Sequence, residues 1–133
     1  MKIHNEIRQE ILKSLKGNID VEEFHNGRPE FLDLDDTQSA VAVFIDEAER
    51  DDISTSWEEW RATLNIAVYL KTFEPSELDE TIEAVVSQLE SAKEELQTVE
   101  ELDLSQINYE SDTTQRSWHI ANITYQITYH KEK

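Results

Sequence analysis

The chain has 133 residues, 38% of them hydrophobic, and it includes three Trp, four Tyr and four Phe. Thirty Asp and Glu against twelve Lys and Arg give a formal charge of 12 − 30 = −18. This length and composition predict one folded domain spanning residues 1–133, while the charge argues against binding to nucleic-acid phosphates, which depends on Lys and Arg. No apolar run reaches the ~18 residues of a membrane span, and the absence of Cys excludes disulfides and cysteine nucleophiles.

The acidic residues are concentrated in two stretches. Residues 30–59 hold eleven carboxylates against Arg50, and residues 74–112 hold thirteen against Lys93. Because like charges at this density repel one another, any self-assembly is expected to depend on salt.

The first half of the chain predicts one helix and two strands. An apolar stripe at helical spacing predicts a helix over residues 3–15 that ends at Gly17. A short strand over residues 21–25 is expected to end at a turn that begins with Asn26 and Gly27. The β-branched run at residues 39–45 is apolar on both faces, like an interior strand.

Residues 46–52 are predicted to form an acidic loop. The strongest alternation of apolar and polar residues follows at residues 60–71 and predicts a long strand with one buried face. A second helix is expected from Ser76 as N-cap, with Asp79 completing a capping box. Residues 96–99 are predicted either to continue this helix or to form a separate turn.

A final strand is predicted over residues 121–129. Trp118 and Ile120 fall on the opposite phase of its alternation, which predicts a β-bulge or a switch of the buried face near Ile120. The predicted order is α, β, β, β, α, β. The fold class is therefore α+β, with a mostly antiparallel sheet of about four strands and two helices packed on one face.

Catalytic motifs are weak in this sequence. Its four His lie far apart without the spacing of a helical zinc site, and two Gly cannot build a phosphate-binding loop. Acidic pairs such as the one at residues 51–52 are too common in this chain to indicate acid and base roles. The residues favour a protein without enzymatic activity.

Two local features indicate contacts with other molecules. Arg28 follows the predicted turn in an acidic neighbourhood, where it would form an ion pair within the chain or reach a carboxylate on a neighbouring copy. Trp57 and Trp60 would point to opposite faces of a strand, so one would join the core and the other would anchor an interface.

Five segments form a pattern that extends over nearly the whole chain. They are residues 24–29 (FHNGRP), 40–44 (AVAVF), 60–70 (WRATLNIAVYL), 76–79 (SELD) and 118–129, which end in ITYQITY. In this order and spacing they resemble the tail terminator proteins of long-tailed phages, typified by minor tail protein U of the lambda-like group.

The resemblance implies a structural virion protein, with a single tail terminator domain, that forms a homo-hexameric ring. This ring would cap the head-proximal end of the tail tube, stop its polymerisation and present the head-attachment surface, while the genome would pass through its hole. The implied partners are the major tail tube protein and a head-tail connector or head-completion protein, with no sequence-specific nucleic-acid binding and no membrane. The implied location is the virion tail, with host cytoplasm during assembly.

The resemblance also implies cation-assisted ring formation through an acidic residue near the start of the second helix. Pro75 occupies the matching position here, so Glu74 beside it is the candidate metal ligand. No cofactor is expected to be required, and Mg²⁺ is expected at most to assist ring assembly.

By analogy with the family, subunit or tube contacts are expected on the loop at residues 26–31 and on the acidic loop at residues 46–56. The candidate interface residues are Asn26, Gly27, Arg28, Pro29, Asp46, Glu47, Asp51, Asp52 and Trp57. The alternative function is an acidic binding or inhibitor domain that occupies a cationic surface on another protein.

Overall fold

A computed structural model of the chain describes residues 1–28, 38–51, 56–71, 74–112 and 118–132. In chain order, its helices and strands are α1 (Lys2–Leu15), β1 (Glu23–Asn26), β2 (Ser39–Asp51), β3 (Trp57–Lys71), α2 (Pro75–Ala92), β4 (Glu101–Asp112) and β5 (Trp118–Glu132). A short 3-10 helix, Lys93–Glu95, follows α2.

The five strands form one sheet in the order β1-β2-β3-β5-β4. β1 pairs with β2 in parallel, and the other neighbours are antiparallel. The α+β class and the mostly antiparallel sheet are therefore confirmed, with five strands where about four were expected. β1 and β4 form the two edges of the sheet.

Both helices contribute to one hydrophobic core on one face of the sheet, as predicted. Alternate residues of the central strands point into it, because successive side chains of a strand point to opposite faces. The fully buried side chains of this core include Ile7, Ile11 and Leu15 of α1, Val85 and Leu89 of α2, and Val41, Leu64, Ile66, Ile123 and Tyr129 of the sheet.

Helix α1 ends where the sequence predicts. The backbone N–H of Ile19 donates to the carbonyl of Leu15 at 3.0 Å, and Gly17 has φ +85°. A residue without Cβ adopts this left-handed conformation at little cost, so Gly17 ends the helix.

The predicted cap of α2 is wrong. The helix begins at Pro75 with Glu74 in the N-cap position, and no side chain of the described residues caps it with a hydrogen bond. Proline suits this first turn because it has no N–H to satisfy and its φ is already near the helical value. Ser76 and Asp79 therefore lie inside the helix rather than forming a capping box.

Residues 96–99 do not continue α2, which ends at Ala92 before the short 3-10 helix. The carboxylate of Glu10 accepts hydrogen bonds from the backbone N–H groups of Gln97 and Thr98, at 2.8 and 3.0 Å. Val99 is buried in the core. The segment is thus a connection to β4 that α1 holds in place.

The acidic loop predicted at residues 46–52 is wrong for residues 46–51, which extend β2. A register shift between Ile45 and Glu47 marks a bulge, beyond which β2 continues to pair with β3. Charged side chains are accommodated there because this part of β2 is largely exposed and because Asp51 accepts from Arg61 at 2.8 Å.

β4 is absent from the sequence prediction. Of the two alternatives predicted near Ile120, a β-bulge or a switch of the buried face, the β-bulge is wrong. β5 pairs with β3 without a register shift from Trp118 to Glu132. Ile120 instead lies, half buried, opposite Tyr69 on the face away from the helices. The bulge next to β5 belongs to β4, between Leu104 and Gln106.

Candidate assembly surface

The face of the sheet away from the helices, here called the helix-free face, carries small and polar side chains. Ala40, Ala42 and Ala67 are buried on this face, together with the polar residues Asn65 and Thr124. Asn65 is 2% exposed although it lies in the middle of β3. A buried amide needs hydrogen-bond partners, and these partners define the candidate surface.

The chain reaches this face through a bend at the end of β1. The N–H of Gly27 donates to the carbonyl of Val43 at 2.7 Å, which extends the β1–β2 pairing by one bond. Gly27 has φ +100°, a conformation that L residues with a side chain rarely adopt. The chain therefore bends at Gly27, which directs Arg28 towards β2, while the rest of the predicted turn lies outside the described residues.

Arg28 forms an ion pair with Asp46 of β2. Its Nη2 donates to Asp46 Oδ1 at 2.9 Å, and its guanidinium lies 4.4 Å from the centre of the Phe44 ring. Of the two alternatives for Arg28, the one within the chain is thus present. The Arg28 side chain remains 69% exposed, so the pair lies at the surface.

Asp46 connects this exposed pair to the interior of the sheet. Its Oδ2 accepts from Asn65 Nδ2 at 2.8 Å, and Asn65 Oδ1 accepts from Thr124 Oγ1 and Asn122 Nδ2, each at 3.0 Å. The network crosses β2, β3 and β5. It therefore fixes the position of the Asp46 carboxylate through three strands of the sheet.

Burial raises the pKa of Tyr69 on the same face, and the nearby positive charge of Arg28 offsets part of this effect. The phenol is therefore uncharged at neutral pH. It adds bulk near Arg28 without adding charge.

Asn26 is not part of the Arg28–Asp46 network. Its Oδ1 accepts from Arg8 Nε at 2.6 Å, and its Nδ2 donates to Asn5 Oδ1 at 2.9 Å. Both partners belong to α1, so Asn26 ties the end of β1 to that helix. Its side chain serves the fold of this chain.

The acidic candidates farther along β2 lie towards its exposed end. Asp51 accepts from Arg61 Nε at 2.8 Å, and this hydrogen bond raises the pKa of Arg61. Glu47 is exposed beside the β2 bulge. Two further candidates, Pro29 and Asp52, lie outside the described residues.

The two tryptophans of β3 differ in exposure. Trp60 is partly buried, packs against the core and donates from Nε1 to Glu58 at 2.9 Å. Trp57 is 49% exposed at the start of the strand. Their odd separation puts them on opposite faces, and Trp57 is the more exposed of the two.

Among the described residues, no group of three or more His, Asp or Glu is arranged to hold a metal ion. Glu74, the weak metal candidate, precedes the first residue of α2. The described part of a single chain therefore does not fit a Mg²⁺ site, which needs several converging oxygens. No described helix is long and apolar enough to cross a membrane.

Sequence reasoning missed the polar partners of Asp46. Asn65, Asn122 and Thr124 occupy the polar phase of two alternating strands, which by itself resembles an ordinary solvated face. One feature of the sequence does indicate that these polar residues are shielded from water: β2 is apolar on both faces, as is typical of an interior strand. Polar residues of neighbouring strands beside such a strand are partly shielded from water and must pair.

The sequence also matches known proteins. The family model for phage minor tail protein U matches residues 2–129. The chain is 31% identical over 129 residues to the "Tail tube terminator protein" of Escherichia phage N15, with 95% of this chain and 97% of the relative covered. It is also 31% identical over 131 residues to the protein of the same description from Escherichia phage lambda, with the same coverage. The chain therefore belongs to the phage minor tail protein U family, a family of structural tail proteins.

Proposed function

We propose that the protein caps the head-proximal end of a phage tail tube as a homo-hexameric ring. The cap ends polymerisation of the major tail tube protein and presents the surface to which the head is joined. The observation that carries this proposal is the match to relatives described as tail tube terminator proteins, which extends over 97% of each relative.

A ring can end a polymer by geometry alone. Tube growth requires that each added ring expose a surface that accepts the next one, as in any head-to-tail assembly. A terminator binds that surface and offers a different one. This function requires shape and interface chemistry, and it requires no nucleophile or cofactor.

We assign the contact with the tube or with a neighbouring subunit to the Arg28–Asp46 pair and its surroundings. Arg28 is exposed, while Asp46 is held through Asn65 by the interior of the sheet. Polar groups that are already held in position lose little conformational entropy on binding. Trp57, 49% exposed, supplies the kind of aromatic side chain that often dominates binding energy.

The charge of −18 makes the assembly sensitive to cations. Six such subunits repel one another, and salt screens that repulsion within a Debye length of about 8 Å at physiological ionic strength. We propose that Mg²⁺ assists closure through screening, since the described residues of one chain form no cluster suited to bind it.

The same charge is compatible with passage of the genome. Phosphate binding draws its affinity from Lys and Arg, and this chain has twelve of them against thirty carboxylates. A ring built from such subunits would let DNA slide through its hole without holding it. The virion tail is the proposed location, after assembly in the host cytoplasm.

The second candidate function is an acidic inhibitor domain that covers a cationic surface, and the charge is the observation that favours it. Mass measurement across a series of NaCl and Mg²⁺ concentrations separates the two. The terminator forms a six-fold species as the salt rises, whereas the inhibitor stays monomeric or dimeric throughout. A protein that stays monomeric at every salt concentration would contradict the proposed ring.

A further inference from the structure

Helix α2 leaves the edge strand β4 incompletely covered. It packs over β5 and β3, and on the same face of the sheet two large side chains of β4 remain exposed. Leu104 is 46% exposed and Tyr109 is 59% exposed. Ile107 between them is only partly buried against the core. An apolar strip therefore lies beside α2 at this edge.

One side of α2 borders this strip. Tyr109 Oη donates to Asp79 Oδ1 at 3.0 Å, which places the Asp79 side of the helix next to β4. Glu83, Val86 and Glu90 follow at intervals of four, three and four residues, and so share that side. We call Leu104 and Tyr109, with these four residues of α2, the β4–α2 strip.

The β4–α2 strip has an apolar floor and an acidic wall. Asp79, Glu83 and Glu90 are all exposed, and Lys93 is the single basic residue within residues 74–112. Lys93 pairs with Glu90 at 3.0 Å. The strip thus fits a partner that is cationic and that offers aliphatic carbon to cover Leu104 and Tyr109.

The outward side of α1 has this chemistry. Its exposed positions are Lys2, Asn5, Glu6, Gln9 and Lys13, at helical spacing, and the exposed Lys16 follows directly after the helix. Residues 1–18 contain four Lys and Arg against two Glu, a net charge of +2, while the remaining chain carries −18 − 2 = −20. In the part of the chain that the structure describes, the ion pairs do not involve Lys2, Lys13 or Lys16.

We infer that α1 of one copy packs on the β4–α2 strip of the next copy, with its lysines against the acidic wall. α1 lies over β1 and β2, and the strip lies at the opposite edge of the same sheet. The two contact surfaces differ, so the interface is heterologous, the type that closes into a ring. The lysine stems cover Leu104 and Tyr109 while their ammonium groups reach the carboxylates.

This inference rests on the proposed ring and is tested by charge exchange. The double variant Lys13→Glu, Lys16→Glu and the double variant Glu83→Lys, Glu90→Lys each place like charges together across the interface. Each is expected to raise the protein concentration needed for assembly by roughly tenfold or more. A chain carrying all four substitutions restores opposite charges and is expected to recover assembly.

Two comparisons separate a local effect at the interface from the effect of the subunit's net charge. Glu83→Lys, Glu90→Lys lowers the net negative charge, which by itself would favour assembly, so a loss in this variant must be local. The control Lys71→Glu, Lys131→Glu changes the net charge as much as Lys13→Glu, Lys16→Glu does, but at two strand ends. It is expected to assemble better than the α1 variant. Unchanged melting temperatures show that the subunits still fold.

The possible results separate the two proposals. A wild-type protein that stays monomeric at every salt concentration, with or without tail tubes, contradicts the ring and with it this interface. A wild-type ring with unaffected double variants contradicts the interface alone. So does a four-substitution variant that fails to recover, because exchanged charges should attract as the original ones do.

Discussion

The buried amide of Asn65 donates a 2.8 Å hydrogen bond to the carboxylate of Asp46. This bond joins the surface of the subunit to the middle of its sheet, since Asn65 is 2% exposed and Asp46 carries the ion pair with Arg28. A hydrogen bond within the folded sheet therefore holds in place a charged group that we assign to assembly. The two roles can be separated by substitution.

Replacing Asn65 by Ala should destabilise the fold by about 1–3 kcal/mol, because Thr124 and Asn122 lose their shared acceptor within the sheet. Urea denaturation of the monomer, in salt low enough to prevent assembly, measures the change. Thr63→Ala is the matched control in the same strand, since its bond from Gln126 is long at 3.5 Å. A loss at Asn65 no larger than the control would contradict the network.

Replacing Arg28 by Ala should affect assembly more than folding. The Arg28–Asp46 pair is exposed to solvent, and such pairs contribute about 0–1 kcal/mol to stability. If Arg28 contacts a neighbouring copy or the tube, the variant loses ring formation or tube binding with nearly unchanged melting temperature. Arg28→Lys tests whether charge alone is enough. A lowered melting temperature with normal assembly would mean that Arg28 serves only its own chain.

Replacing Gly27 by Ala should cost about 1–2 kcal/mol. The cause is backbone strain at φ +100°, since among the described residues other than its two chain neighbours no atom would lie within 4 Å of a Cβ at this position. Gly27→Asn should cost less, because Asn tolerates positive φ better than Ala. Thermal unfolding of both variants gives the comparison. Equal stability of Gly27→Ala and wild type would show that the chain can take another conformation here.

Replacing Glu10 by Gln should lower stability at neutral pH and have no effect in acid. Burial alone raises the pKa of Glu10, but hydrogen bonds from Thr98 and from the backbone of Gln97 and Thr98 outweigh it and lower the pKa below 4.5. A lowered folded-state pKa contributes stability that is complete above the unfolded value and is lost as the pH falls through the folded value. Because Glu10 is partly exposed, the effect should be below about 1 kcal/mol.

Denaturation of wild type and Glu10→Gln between pH 3 and 7 provides the measurement for that prediction. The two stability curves should converge as the pH falls below about 4.5. Curves that stay parallel over the whole range would show that the Glu10 charge does not hold the connection between α2 and β4.

The sequence predicted the strands that alternate without interruption. In β3, Leu64, Ile66 and Val68 keep one phase through the core, and in β5 the alternation from Ala121 to Tyr129 does the same. In such strands, burial of one face determines the period. The helices were predicted for the same reason, because their apolar stripes face a single core.

β4 escaped prediction because its period is broken. Leu102 and Leu104 point to the helix side, but the extra residue at the bulge puts Ile107 and Tyr109 on that side instead of Gln106 and Asn108. Two of these four apolar residues are also exposed, so burial gives little pattern. The second half of β2 was missed because charged, exposed residues in a paired strand look like a loop.

Part of the candidate surface could be predicted, and part could not. The residue types at Arg28 and Asp46 indicated a charged contact, but their pairing depends on the bend at Gly27 and on the β2 bulge after Ile45. Asn65 is distant from both in sequence. A network that spans three strands follows from sheet register, which local patterns do not specify.

The length of tails assembled with and without the protein tests the central claim most directly. Electron microscopy of the tails measures the distribution of tube lengths in each case. The proposed cap predicts tubes of one defined length with the protein present and overlong tubes of variable length in its absence. Equal length distributions in both preparations would contradict a terminator function.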